Sequence, residues 1–234
     1  MSGAPDAAAA PTGWTVVIPV KAPAAGKTRL SPAVPDAARA ELARAFALDT
    51  IAAALGAASV QRVLVVGDDR SLAGDAEFLA EPSGAERGLL TAIRHGIAHA
   101  RAAASVSATP PVPVSVAVLL GDLPALRPEE LDAALTAAAR HPLAFVRDAD
   151  GTGTTLATAG PGVPFDPLFG PDSAARHVAA GFVELEASDA PGLTRDVDTV
   201  DGLEAVLHHG VGDHTAGAVA RLADTSQPDR KGTP

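Results

Sequence analysis

Three carboxylates and three cations are the residues of this chain whose types and spacing can do chemistry. Val114–Leu120 (VSVAVLL) is apolar and rich in β-branched residues, broken only by Ser115, and it runs into Gly121-Asp122. Such a run reads as a strand buried on both faces, and ligands of open α/β sheets bind just beyond the carboxyl ends of strands. Asp122 is therefore placed either to cap the following helix or to hold a metal ion over a small substrate. Further on, the chain reads Leu193-Thr194-Arg195-Asp196-Val197-Asp198-Thr199. In an extended segment Asp196 and Asp198 point the same way, because side chains alternate. Joined by Asp122, they would form an all-oxygen ligand set suited to Mg2+. The D-x-D spacing alone is weak. Asp148-Ala149-Asp150 repeats it in what reads as a turn, and Asp198 or Thr199 is equally placed to cap the next helix.

The cations are Lys21, Lys27 and Arg29, three of only 18 basic residues, grouped in the loop VKAPAAGKTRL after the first strand. There they can grip a triphosphate; the plain alternative is a solvated loop. Gly26-Lys27-Thr28 looks like the end of a phosphate-binding P-loop. That pattern requires glycine where this chain has Lys21, and Pro32 and Pro35 intervene before the helix. The glycine-rich dinucleotide fingerprint is absent too. Two further stretches offer backbone N–H groups and hydroxyls: Gly151-Thr152-Gly153-Thr154-Thr155, and Phe169-Gly170-Pro171-Asp172-Ser173-Ala174-Ala175-Arg176-His177. Free N–H groups where the second opens a helix favour a carboxylate or phosphate, and a turn with an N-cap is the alternative for each. None of the seven histidines is assigned a role; His208, His209 and His214 read as a solvated helix end.

The elements that must position these groups follow from periodicity. Strands are expected at Trp14–Val20, Arg62–Gly67, Glu77–Ala80, Val114–Leu120, Leu143–Val146 and Phe182–Glu186, with Thr154–Thr158 pairing beside the fifth. Helices are expected at Asp36–Leu55, Arg87–Ala102, Pro128–Arg140, Asp172–Ala180, Val200–His208 and His214–Leu222. Ala103–Pro113, rich in proline and serine, reads as a connector with no regular structure. Alternating strands and helices predict one three-layer α/β domain with a mostly parallel sheet. It would span residues 14–222, flanked by disordered tails at 1–13 and 223–234.

Composition narrows the class. With 234 residues, 47% hydrophobic and 3% aromatic, the chain can bury a full core but offers few stacking platforms for single-stranded nucleic acid. A net charge of −10 argues against a nucleic-acid partner. Without cysteine there are no disulfides, thiolate metal sites or thiol nucleophiles. The lack of a leader pattern or long apolar run predicts a cytoplasmic protein with no membrane partner.

Together the stretches VIPVKAPAAGKTRL, LLGDLPAL, DGTGTTL, FGPDSAARH and LTRDVDT resemble, in the same order, the phosphoenolpyruvate and 2-phospho-L-lactate guanylyltransferases of deazaflavin coenzyme F-420 biosynthesis. The resemblance runs from Thr15 to Gly217. It implies the nucleotidyltransferase fold, with Asp122, Asp196 and Asp198 at the metal site. It implies that Thr154, Gly170 and Ser173 hold the carboxylate and phosphate of phosphoenolpyruvate, and that Lys21, Lys27 and Arg29 engage the nucleotide phosphates. Gly88–Ala92 (GLLTA) falls where related enzymes often read GLN-A near the base, and Leu90 departs from that pattern.

The implied reaction joins GTP and phosphoenolpyruvate with release of pyrophosphate. The nucleophile is an already ionised phosphate oxygen, so no general base is required, and catalysis rests on positioning and charge neutralisation. Three rivals share parts of the pattern: a sugar-nucleotide glycosyltransferase, a P-loop GTPase switch and a non-catalytic protein. Choice between the two acceptors rests on pocket shape, and whether the chain forms a homo-oligomer is open.

Overall fold

The computed structural model describes residues 13–21, 35–84, 87–107 and 113–225. Seven strands form one sheet in the order β3-β2-β1-β4-β6-β5-β7. They are β1 (Trp14–Val20), β2 (Val60–Gly67), β3 (Glu77–Ala80), β4 (Val116–Leu119), β5 (Leu143–Arg147), β6 (Thr154–Ala159) and β7 (Val183–Glu184). β1, β2, β3 and β4 pair in parallel, as do β5 and β7. β6 alone runs antiparallel, between β4 and β5. Among the described residues seven α-helices pack around the sheet: α1 (Asp36–Gly56), α2 (Leu89–Ser107), α3 (Pro128–Ala138), α4 (Ser173–Ala179), α5 (Pro191–Thr194), α6 (Val200–His209) and α7 (Asp213–Thr225).

The central strands are near-continuous apolar runs because helices cover both faces. On one face Val16, Ile18, Val63, Val65, Ala117 and Leu119 meet Ile51 and Ala54 of α1 and Leu131 and Leu135 of α3. On the other, Val17, Leu64, Val66, Val116 and Val118 meet Ile93 and Ile97 of α2 and Ala174 of α4. The three-layer, mostly parallel α/β architecture is the expected one. α1 is apolar around much of its circumference because it is packed twice. Its sheet side is covered, and Leu42, Ala45 and Phe46 pack with Val206 of α6 and Ala218 of α7. Its buried Asp49 accepts the N–H groups of His214 and Thr215 at 3.0 and 2.8 Å and so caps α7.

Two local expectations change. Ala103–Ser107 is helical, not a connector, because α2 continues to Ser107; the alanine tract sustains the helix. α7 runs on to Thr225, taking in the first residues of the expected C-terminal tail. The tails at 1–12 and 226–234 lie outside the described residues, as do Lys27 and Arg29.

Candidate active site

The strand order reverses between β1 and β4. From β1 the chain steps outward through β2 and β3, and β4 lies on the other side. The carboxyl edge at such a switch point is where α/β sheets open a crevice. Lys21 follows β1 directly and is exposed there. β4 ends at Leu119, and Gly121-Asp122 follows. A side chain at position 121 would press on Val20, Ile18 and the carbonyl of Pro19 at 3.2–3.3 Å, so glycine lets this turn pass close beside the end of β1.

Asp122 is held from two directions. The N–H of Leu123 donates to Thr50 Oγ1 at 3.0 Å, and that fully buried hydroxyl donates to the carbonyl of Phe46 at 2.8 Å. The carbonyl of Asp122 accepts the N–H of Val197 at 3.1 Å. Val197 is fully buried among Leu42, Phe46 and Val206. With that side chain turned inward, its neighbours Asp196 and Asp198 turn the other way. A carboxylate oxygen of each of Asp122, Asp196 and Asp198 lies within 4.8 Å of the other two, and all three residues are half-buried. The helix-capping alternative goes to Thr199, whose hydroxyl accepts the N–H of Gly202 at 3.0 Å at the start of α6.

The donor set is chemically uniform. Three carboxylates, with no thiolate or imidazole among them, suit a hard divalent cation. An octahedral Mg2+ with bonds of about 2.1 Å spaces its ligand oxygens by about 3–4 Å. The observed spread requires only small side-chain adjustments to match.

The second group of residues comes together because β6 is reversed. An antiparallel strand begins where its parallel neighbours end, so Thr154, first in β6, sits at the carboxyl edge. Leu119 pairs with Leu156, and Leu120 N–H donates to the carbonyl of Thr155 at 2.9 Å. The preceding loop is closed by Asp148, whose carboxylate accepts the N–H groups of Thr152 and Gly153 at 2.9 and 2.8 Å. Those amides are thus engaged internally, and Asp148-Ala149-Asp150 is the turn expected. Ala149 N–H donates to the carbonyl of Thr194 at 2.8 Å, tying this loop to the segment that leads into Asp196.

Ser173 opens α4, and its hydroxyl donates to Thr154 Oγ1 at 3.1 Å. Its N–H donates to the carbonyl of Gly170 at 3.1 Å. Thr154, Gly170 and Ser173 are therefore gathered in one place. Thr154 and Ser173 are buried, whereas Gly170, at φ 118°, is exposed. Leu90 packs partly buried against the α2 face of the core.

His177 belongs to the same cluster, although sequence reasoning gave it no role. It is fully buried, with Nδ1 3.0 Å from Thr154 Oγ1. Its ring stacks on Phe145 at 5.3 Å and meets Phe169 and Phe182 edge-on at 5.6 and 4.7 Å. Burial lowers its pKa from 6.5 to about 4, the carbonyl of Ser173 opposing the shift and Arg176 adding to it. The available signal was spacing: a histidine one helical turn after Ser173 shares its face.

A family model described as "Guanylyl transferase CofC like" matches residues 14–233. The phosphoenolpyruvate guanylyltransferase of Streptomyces scabiei (strain 87.22) is 48% identical over 216 residues, covering 89% of this chain and 97% of the relative. That of Streptomyces coelicolor (strain ATCC BAA-471 / A3(2) / M145) is also 48% identical, over 220 residues, covering 92% and 99%. Among solved structures, a protein of Desulfovibrio desulfuricans G20 provisionally described as a nucleotide-diphospho-sugar transferase superposes with a TM-score of 0.66 at 18% identity, covering 91% of this chain and 95% of its own. That likeness is one of fold. With the family model spanning nearly the whole chain and such relatives matched along their length, the chain belongs to the CofC-like guanylyl transferase family.

Proposed function

We propose that this chain transfers the guanylyl group of GTP to phosphoenolpyruvate and releases pyrophosphate, at a Mg2+ site made by Asp122, Asp196 and Asp198. The observation that carries this reading is the convergence of those carboxylates within 4.8 Å at the switch-point edge. Family membership supports the guanylyl donor, and the names of the relatives support the acceptor. Cytoplasmic location, a place in deazaflavin coenzyme F-420 biosynthesis and a single domain over 14–222 belong to the same reading. Among the described residues no helix is long and apolar enough to cross a membrane.

In the reaction, a phosphate oxygen of the acceptor bonds to the α-phosphorus of GTP. The bond from that phosphorus to the bridging oxygen breaks, and pyrophosphate departs with the electron pair. A phosphate monoester has its second pKa near about 6, so the nucleophile is ionised at neutral pH and no proton need be removed. A metal ion held by Asp122, Asp196 and Asp198 would supply positive charge to offset that of the reacting phosphates. The protein's part is placement. Asp122 is fixed through Thr50 and Val197, and Asp196 and Asp198 through the burial of Val197 between them. Lys21, with Lys27 and Arg29 shortly after it in sequence, offsets charge on the leaving pyrophosphate. Gly170, beside the Thr154–Ser173 pair, receives the acceptor.

Purified protein with GTP, Mg2+ and each acceptor in turn tests this reading through pyrophosphate release. Release is expected only when phosphoenolpyruvate is present. Release with 2-phospho-L-lactate alone would reassign the acceptor. Hydrolysis of GTP without an acceptor, or no Mg2+-dependent turnover of GTP, would reject guanylyl transfer.

A further inference from the structure

His177, Thr154 and Ser173 form a buried polar chain inside an aromatic shell. Their exposures are 0%, 3% and 1%. Ser173 Oγ donates to Thr154 Oγ1 at 3.1 Å, and His177 Nδ1 stands 3.0 Å from the same oxygen. Thr154 Oγ1 makes no other hydrogen bond among the described residues. His177 Nε2 is buried and has no partner among them. An imidazole set among three phenylalanines is an expensive way to fill a core, and a polar group retained there calls for a polar task.

The neutral ring must carry its proton on one nitrogen. On Nε2 it would be an orphaned buried donor, the rarer kind of unmet group. On Nδ1 it faces Thr154 Oγ1 at 3.0 Å and has a partner. With Nδ1–H and the Ser173 hydroxyl both donating to it, the Thr154 oxygen has both lone pairs filled. Its own proton is then the only hydrogen-bonding capacity left.

We propose that His177 is a positioning residue for the acceptor: with Ser173 it fixes the Thr154 hydroxyl as an obligate donor toward an anionic oxygen of the acceptor. The proposal rests on the reading that Thr154 and Ser173 line the acceptor site. A hydroxyl locked as donor favours a carboxylate or phosphate oxygen and disfavours a ligand group that itself donates. The device works with an uncharged imidazole, which its low pKa secures at neutral pH.

Two measurements test it on the full chain. Side-chain 15N NMR of imidazole-labelled protein at neutral pH needs no turnover; it is expected to show His177 protonated on Nδ1 and bare on Nε2, and the opposite tautomer would overturn the proposal. In kinetics, His177→Phe keeps the aromatic packing and removes the donor; it is expected to raise the acceptor KM about five- to tenfold, as loss of one such hydrogen bond implies, with the GTP KM unchanged. His177→Asn, whose amide reaches the Nδ1 position, should recover most of that loss, and His177→Gln, which reaches the Nε2 position, should not. Equal rises in both KM values, or an Asn variant as impaired as Phe, would overturn the proposal. If the Phe variant does not fold, the contrast of Asn with Gln decides. Thr154→Val separates the two layers. If it raises the acceptor KM while His177→Phe leaves it unchanged, the positioning role falls and the acceptor site stands. If it has no effect on that KM, the acceptor site falls and the positioning role with it.

Discussion

The carbonyl of Asp122 accepts the N–H of Val197 at 3.1 Å, joining the turn after β4 to the middle of the D-x-D segment. One backbone bond thus links chain segments far apart in sequence at the point where their carboxylates meet. Val197 points into the core, and Asp196 and Asp198 lie with Asp122 around a common centre.

Removing charge from that centre should stop catalysis and spare the fold. Asp122→Asn and Asp198→Asn are each expected to lower kcat by about 100-fold or more, the scale of losing preorganised transition-state electrostatics. Circular dichroism should be unchanged. Near-normal pyrophosphate release in either variant would contradict the metal assignment.

Thr50 supports the centre from beneath. Thr50→Val keeps the volume and removes the partner of the buried Leu123 N–H. Stability should fall by about 1–3 kcal/mol, the cost of an unsatisfied buried donor, read from urea unfolding. Activity should fall as well, since the neighbouring residue is Asp122.

Gly192 lies in α5, the short helix that leads into the D-x-D segment. A Cβ there would collide with the carbonyl of Ala125 and the carboxylate of Glu130, which also accepts the Gly192 N–H at 3.2 Å. Gly192→Ala is expected to cost about 1–3 kcal/mol by overpacking. By shifting the segment that carries Asp196 and Asp198, it should also lower kcat more than it raises the GTP KM.

His177 makes stability depend on pH. Folding lowers its pKa from 6.5 to about 4, so between those values the unfolded chain binds a proton that the folded chain refuses. Stability is therefore lost as pH falls from 6.5 toward about 4, by about 3 kcal/mol in all at roughly 1.4 kcal/mol per pH unit. Urea unfolding at pH 6.5 and 5 should show the decline in the native chain, and His177→Phe should flatten it. An unchanged slope in that variant would contradict the buried, neutral assignment.

Much of the candidate site is legible in the sequence. The apolar run of Val114–Leu120 announces a covered strand, and such a strand delivers Asp122 to the carboxyl edge. The two-residue spacing of Asp196 and Asp198 requires only an extended backbone. Thr50, Glu130 and His177 were hidden because each acts through a partner remote in sequence. Thr50 bonds to Leu123, Glu130 to Gly192 and His177 to Thr154, and periodicity within a helix says nothing of such pairs. The reversal of β6, which brings Thr154 to the edge, was equally hidden: alternation marks a strand, not its direction. The helical stretch Ala103–Ser107 is hidden because serines and nearby prolines mark a break in the sequence without fixing how many residues before them a helix can still extend.

The most direct test of guanylyl transfer at this centre is the fate of the α-phosphate. Protein, Mg2+, phosphoenolpyruvate and GTP labelled at the α-phosphorus should yield label in a new product joined to the acceptor through a phosphoanhydride, with unlabelled pyrophosphate released. Label found only in GTP, GDP or GMP would contradict the account.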